Sequence, residues 1–79
     1  MGIITLGLVL KNTQTGFVGT IIAVLYELHK SIQLTIKEGR EEEWVSGTKY
    51  KLLYVFANQT EHWELFDVPV SLKKGKRKG

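Results

Sequence analysis

The chain has no cysteine among its 79 residues, which excludes a disulfide framework and any thiolate-held zinc or iron–sulfur centre. It has one proline and two histidines. Neither His29 nor His62 stands at metal-ligand spacing from the other, so no metal site and no cofactor are expected. Long hydrophobic runs are also missing. The longest, Phe17–Leu28, is interrupted by Gly19, Thr20 and Glu27 and falls short of the ~20 residues of a membrane span. The opening stretch to Leu10 is apolar but lacks a basic n-region and a small-residue cleavage site, so no membrane partner and a cytoplasmic location are expected.

Catalytic patterns are scarce as well. Ser31, Ser46 and Ser71 stand in no nucleophile motif, Gly16 and Gly19 belong to no phosphate-binding fingerprint, and Glu41–Glu43 reads as a solvated loop rather than an acid–base pair. The chain is therefore expected to bind rather than to catalyse.

Charge is unevenly spread. The formal net charge is +3, yet Lys73, Lys74, Lys76, Arg77 and Lys78 crowd the last seven residues, and residues 1–72, with six basic and eight acidic groups, are net negative. This divides the chain into one domain over 1–72 and a flexible basic tail over 73–79. The tail offers a salt-sensitive handle for nucleic acid. No basic stripe with interleaved aromatics accompanies it in the body.

What is present reads as strands. Hydrophobic residues make up 43% of the chain, enough for a single core. Ile3–Lys11 is rich in β-formers, and Asn12–Gly16 is a cluster of turn residues. Phe17–Leu28 is a long strand through the β-branched run at its centre, with a helix as the alternative reading. Ile32–Lys37 alternates cleanly, the charged stretch 38–43 is a loop, Thr48–Ala57 alternates again, and His62–Val68 closes the set before Pro69. Five short strands without helical periodicity predict an all-β fold, a small five-stranded antiparallel SH3-like barrel, with an OB-type barrel as the alternative.

Two strands carry apolar residues on both faces. Strict alternation puts Phe17, Ile21, Ala23 and Leu25 on one side and Val18, Ile22, Val24 and Tyr26 on the other. In the fourth strand it sets Leu53 and Val55 outside. So small a barrel has one interior, and each buried aliphatic side chain contributes roughly 1.5–3 kcal/mol. A homo-oligomer, most simply two-fold, is expected to cover the remaining face.

Of the eight aromatics, Phe17, Tyr54, Phe56 and Phe66 read as core. Tyr26, Trp44 and Trp63 lie by turns. Near Lys30 or Arg40, such rings make a platform for a nucleobase with a cation for its phosphate.

The segment Asn12-Thr13-Gln14-Thr15-Gly16-Phe17-Val18-Gly19-Thr20, followed by Tyr26-Glu27-Leu28, Ile32-Gln33-Leu34 and the late Phe66-Asp67, resembles a set of small phage-encoded SH3-like barrel proteins with a Thr-Gly-Phe-x-Gly-Thr motif. It departs from them at Lys30-Ser31, where Gly-Cys is frequent. Some proteins of this kind resemble anti-defence sponges that withhold cyclic dinucleotides from bacterial cyclic-oligonucleotide (CBASS) immunity. That resemblance implies a phage protein, in the host cytoplasm, that sequesters a cyclic dinucleotide at subunit interfaces. Tyr26, Trp44 and Trp63 would stack on bases, Lys30 and Arg40 would meet phosphates, and Thr15 and Thr20 would hydrogen-bond a base edge or phosphate. The Thr-Gly-Phe-x-Gly segment also looks like the KOW element of ribosome- and transcription-associated barrels, which implies a module for nucleic acid or for the host transcription or translation machinery. A barrel that blocks one host enzyme is a third reading.

Overall fold

β-Branched and aromatic residues line the five strands of a single antiparallel sheet in the computed structural model, which describes residues 5–26 and 31–69. The strands are β1 (Val9–Asn12), β2 (Val18–Tyr26), β3 (Ile32–Glu38), β4 (Leu52–Phe56) and β5 (Trp63–Asp67), in the spatial order β4-β3-β2-β1-β5. The only helical element among the described residues is one 3-10 turn at Glu41–Glu43, so the β reading of the long apolar run holds over Val18–Tyr26.

Among the described residues β1, β4 and β5 are shorter than alternation predicts, with local reasons at β1 and β4, and β3 runs one residue further, to Glu38. β1 starts at Val9 because the chain turns just before it, with the Leu8 N–H on the Thr5 carbonyl at 3.2 Å. After β1, the Asn12 carboxamide accepts from the backbone N–H of Gln14 (2.9 Å) and Thr15 (3.0 Å), an Asx-type cap that reverses the chain. β4 starts at Leu52 rather than near Thr48, because the residues before it are spent on the β3–β4 connection. There the Val45 N–H donates to the Tyr50 hydroxyl at 2.9 Å, and the Lys51 N–H donates to the Glu38 carboxylate at 3.1 Å.

Leu8, Leu10, Ile21, Leu34 and Ile36 form the core, with Phe17, Val24, Ile32, Leu53, Val55 and Trp63 packed against it. Two face assignments are corrected by this packing. Ile21 and Val24 both turn inward, which strict alternation forbids. A register shift between Ile21 and Ala23, where β2 pairs with β3, inserts Ile22 as an extra residue and swaps the faces of the second half of the strand. In β4, Leu53 and Val55 face the core, and Leu52, Tyr54 and Phe56 face out. Tyr54, Phe56 and Phe66, expected in the core, are therefore exposed; Phe17 is packed as expected.

The sheet curls. A flat five-stranded sheet separates its edge strands by roughly 19 Å. Here the edges β4 and β5 are joined by residues 57–62 alone, and these carry two turns, closed by the Gln59 N–H on the Phe56 carbonyl (2.8 Å) and the Trp63 N–H on the Thr60 carbonyl (3.0 Å). Two such turns in series reach at most about 18 Å. No ladder joins β4 to β5, however, so the sheet is open and a closed barrel is not formed.

Candidate functional site

One row of cross-strand partners crosses all five strands on the outer face: Asp67, Val9, Thr20, Lys37 and Leu52. The β3–β4 connection folds back over this row as a strap. Gly39 starts it with φ +89°, a left-handed conformation that a side chain would strain, and a Cβ there would lie 3.3 Å from the Trp44 indole nitrogen. The Gly39 carbonyl accepts from the Thr20 hydroxyl at 2.8 Å, and its N–H donates to the Val18 carbonyl at 2.9 Å, which pins the strap's root to β2.

The strap carries the charged and aromatic groups. Arg40 reaches across to Asp67 in an ion pair between its Nη2 and the carboxylate; the two side chains are 27% and 23% exposed. Its Nε, buried and without a hydrogen bond, lies 3.8 Å from the Glu42 carboxylate, and its guanidinium sits 5.7 Å from the centre of the Phe66 ring. Trp44 donates its indole N–H to the Glu38 carbonyl at 2.8 Å and leans on Tyr50, ring centres 6.3 Å apart at 48°. The Lys37 ammonium stands 4.2 Å from the centre of the Trp44 ring and 5.2 Å from that of Tyr50. A cation over two tilted π faces is a cation–π cluster that ties the strap's rings to β3.

Of the residues singled out by sequence, the structure brings Arg40, Trp44 and Thr20 together on the strap and its root. Thr20 is 2% exposed, and its hydroxyl is committed to Gly39, so it braces the strap. Thr15 stands at the exposed β1–β2 turn, where its hydroxyl accepts from the Phe17 N–H at 3.2 Å. Tyr26 ends β2, exposed. Trp63 packs edge-on to Phe17, ring centres 6.1 Å apart, against the core. Lys30 lies outside the described residues, as does the basic tail.

Sequence reasoning missed Lys37 and Tyr50. Lys37 is on the polar face of a cleanly alternating strand, which reads as plain solvent exposure. Only the strap folding back gives it two rings. No cluster of His, Asp or Glu among the described residues is arranged to hold a metal ion, and no helix there is long and apolar enough to cross a membrane.

The Arg40–Asp67 pair ties the strap to the far edge strand, so Arg40→Gln is expected to cost about 1–2 kcal/mol, an amount limited by the partial exposure of both groups. Urea unfolding gives the loss, and faster hydrogen exchange at the Trp44 indole shows that the strap has loosened. Unchanged exchange would mean that the pair does not hold it.

No protein-family model matches the chain, and no curated protein and no solved structure matches it either.

Proposed function

We propose that this chain is a non-enzymatic binding protein of SH3-like type that sequesters a cyclic dinucleotide at a homo-oligomer interface, as the phage anti-defence proteins it resembles would do. The observation that carries this reading is the strap's aromatic–cation corner: Lys37 held over Trp44 and Tyr50, with Arg40 on the same connection. A base stacked on Trp44 or Tyr50 gains roughly 1–3 kcal/mol, and a phosphate beside Lys37 adds a charge-assisted contact. The strand order and the curl of the sheet support the SH3-like part. The exposed apolar residues Leu25, Tyr54 and Phe56, neighbours across β2, β3 and β4, support the oligomeric part.

Calorimetric titration with a panel of cyclic dinucleotides tests the reading. Trp44→Ala is expected to weaken binding by about tenfold or more, the equivalent of one lost stacking contact. Gln14→Ala, at the exposed β1–β2 turn, is expected to leave binding as it was. If no member of the panel binds the wild type, or if Trp44→Ala binds equally well, the reading fails. Binding that instead tracks RNA or DNA, collapses with salt and is lost on deleting residues 73–79 would favour the KOW-like module.

A further inference from the structure

The two edges of the sheet are unlike. β5 has the features that keep an edge strand from pairing with another chain: Glu64 and Asp67 within it, a register shift against β1, and Pro69 just beyond. β4 has none of them. It is Leu-Leu-Tyr-Val-Phe, without charge, proline or bulge, and among the described residues its outer edge has no ladder partner.

The direction of its backbone groups can be read from its inner side. The Glu38 N–H donates to the Lys51 carbonyl at 2.8 Å, and the Ala57 N–H donates to the Ile32 carbonyl at 2.7 Å. In an antiparallel ladder these roles alternate, so Lys51, Leu53, Val55 and Ala57 aim their groups at β3. Leu52, Tyr54 and Phe56 aim theirs away from the sheet. The Phe56 carbonyl also accepts from Gln59 at 2.8 Å, which leaves Leu52 and Tyr54 as the residues with both groups open at that edge.

We infer that β4 is a self-pairing strand, and that two copies of this chain join edge to edge, antiparallel, about a two-fold axis at Tyr54. This register sets Tyr54 opposite Tyr54 of the partner subunit as a hydrogen-bonded pair and Leu52 opposite Phe56 of the partner subunit as the next one. Leu53 then faces the partner's Val55 on the core side. It is the register that engages the whole of β4, the Phe56 carbonyl taking the partner's Leu52 N–H on the lone pair that Gln59 leaves free; a shift of two residues either way leaves one end of the strand without a partner.

Charge selects the same direction. Lys49 and Lys51 precede β4, and Glu61 follows it. Antiparallel pairing brings the basic end of each copy to the end of the other that leads to Glu61, whereas parallel pairing would set lysine against lysine. The exposed rings of Tyr54 and Phe56 gain cross-strand neighbours in the same step. Tyr50, beside the Trp44 corner, lies two residues before β4, so the pairing deepens the assembly half of the proposed function and would bring the strap near a subunit boundary.

Because the chain has no cysteine, single-cysteine variants of the full chain report the contact directly. An antiparallel hydrogen-bonded pair places its Cα atoms about 5.5 Å apart, within the span of a disulfide. Tyr54→Cys is expected to form a disulfide-linked dimer on mild oxidation, and Glu64→Cys on β5 is expected to remain monomeric in the same conditions. Tyr54→Lys sets two ammonium groups face to face at the axis and is expected to weaken the dimer at least about tenfold in sedimentation equilibrium. Its thermal midpoint, extrapolated to low concentration, should match the wild type, since the side chain is 62% exposed. Trp44→Ala should sediment as the wild type does, so failure of nucleotide binding and failure of pairing are separate results. Equal cross-linking through both cysteines, a Tyr54→Lys dimer as tight as the wild type, or a wild-type chain that stays at 9.0 kDa at every concentration would overturn the inference.

Discussion

Gly19→Ala is expected to lose about 3 kcal/mol or more of folding free energy, the upper end of the range for overpacking. The added Cβ would lie 2.6 Å from the Cγ2 of Ile36, 2.8 Å from the Lys37 carbonyl oxygen and 2.8 Å from Cε1 of Phe17. Phe17 can turn aside, but Ile36 is fully buried and the Lys37 carbonyl belongs to the neighbouring strand. Relief therefore requires β2 and β3 to move apart beneath the root of the strap. A domain of this size has a total stability of roughly 4–12 kcal/mol, so the loss is a large part of the whole. Urea unfolding of the variant measures it. A cost under about 1 kcal/mol would mean that the strands do not approach as closely as described. The double variant with Ile36→Ala should cost less than the sum of the two single changes, because one of the clashing atoms is gone.

Leu34→Ala is expected to cost about 2–5 kcal/mol, whereas Leu25→Ala is expected to cost under about 1 kcal/mol. Both residues are leucines on adjacent strands, yet Leu34 is 0% exposed and Leu25 is 54% exposed. Leu34 lies between Val24 and Val55, its partners on either side, and truncation opens a cavity that two flanking strands cannot collapse to fill. Chemical denaturation of the two variants side by side decides the face assignment in β2. Comparable costs would place Leu25 inside and remove the bulge at Ile22 from the account.

That bulge marks where sequence reading stops. Ile21 and Ile22 are the same residue type, and nothing in the run Val18–Tyr26 signals that one of them is an extra residue in the ladder. Beyond it, alternation alone puts Leu25 on the side of Ile21 and Val24 on the other, and the packing reverses both. β4 fails for a related reason: with Leu52, Leu53, Tyr54, Val55 and Phe56 all apolar, period-2 patterning gives no contrast, and ring size favoured the wrong face. β3 was legible throughout, because Ile32, Leu34 and Ile36 alternate with Gln33, Thr35 and Lys37, and the structure keeps that division.

The candidate site is legible in part for similar reasons. Arg40 and Trp44 stood out because a guanidinium and an indole close together in a charged loop have few uses in a core. Thr20 reads as a ligand contact, but its hydroxyl serves the Gly39 carbonyl, a role that depends on where a loop nineteen residues later turns back. Lys37 and Tyr50 needed that same reversal to meet. Nonlocal contacts of this kind follow from the strap's path over the sheet, which local propensity does not encode.

The proposed function requires copies of this chain to cover one another and together hold a nucleotide at the strap. Native mass spectrometry, before and after addition of a cyclic dinucleotide, reads both requirements in one experiment. The expected particle has at least twice the 9.0 kDa chain mass and gains the mass of intact ligand. A single 9.0 kDa species, unchanged in mass by every nucleotide offered, would contradict it.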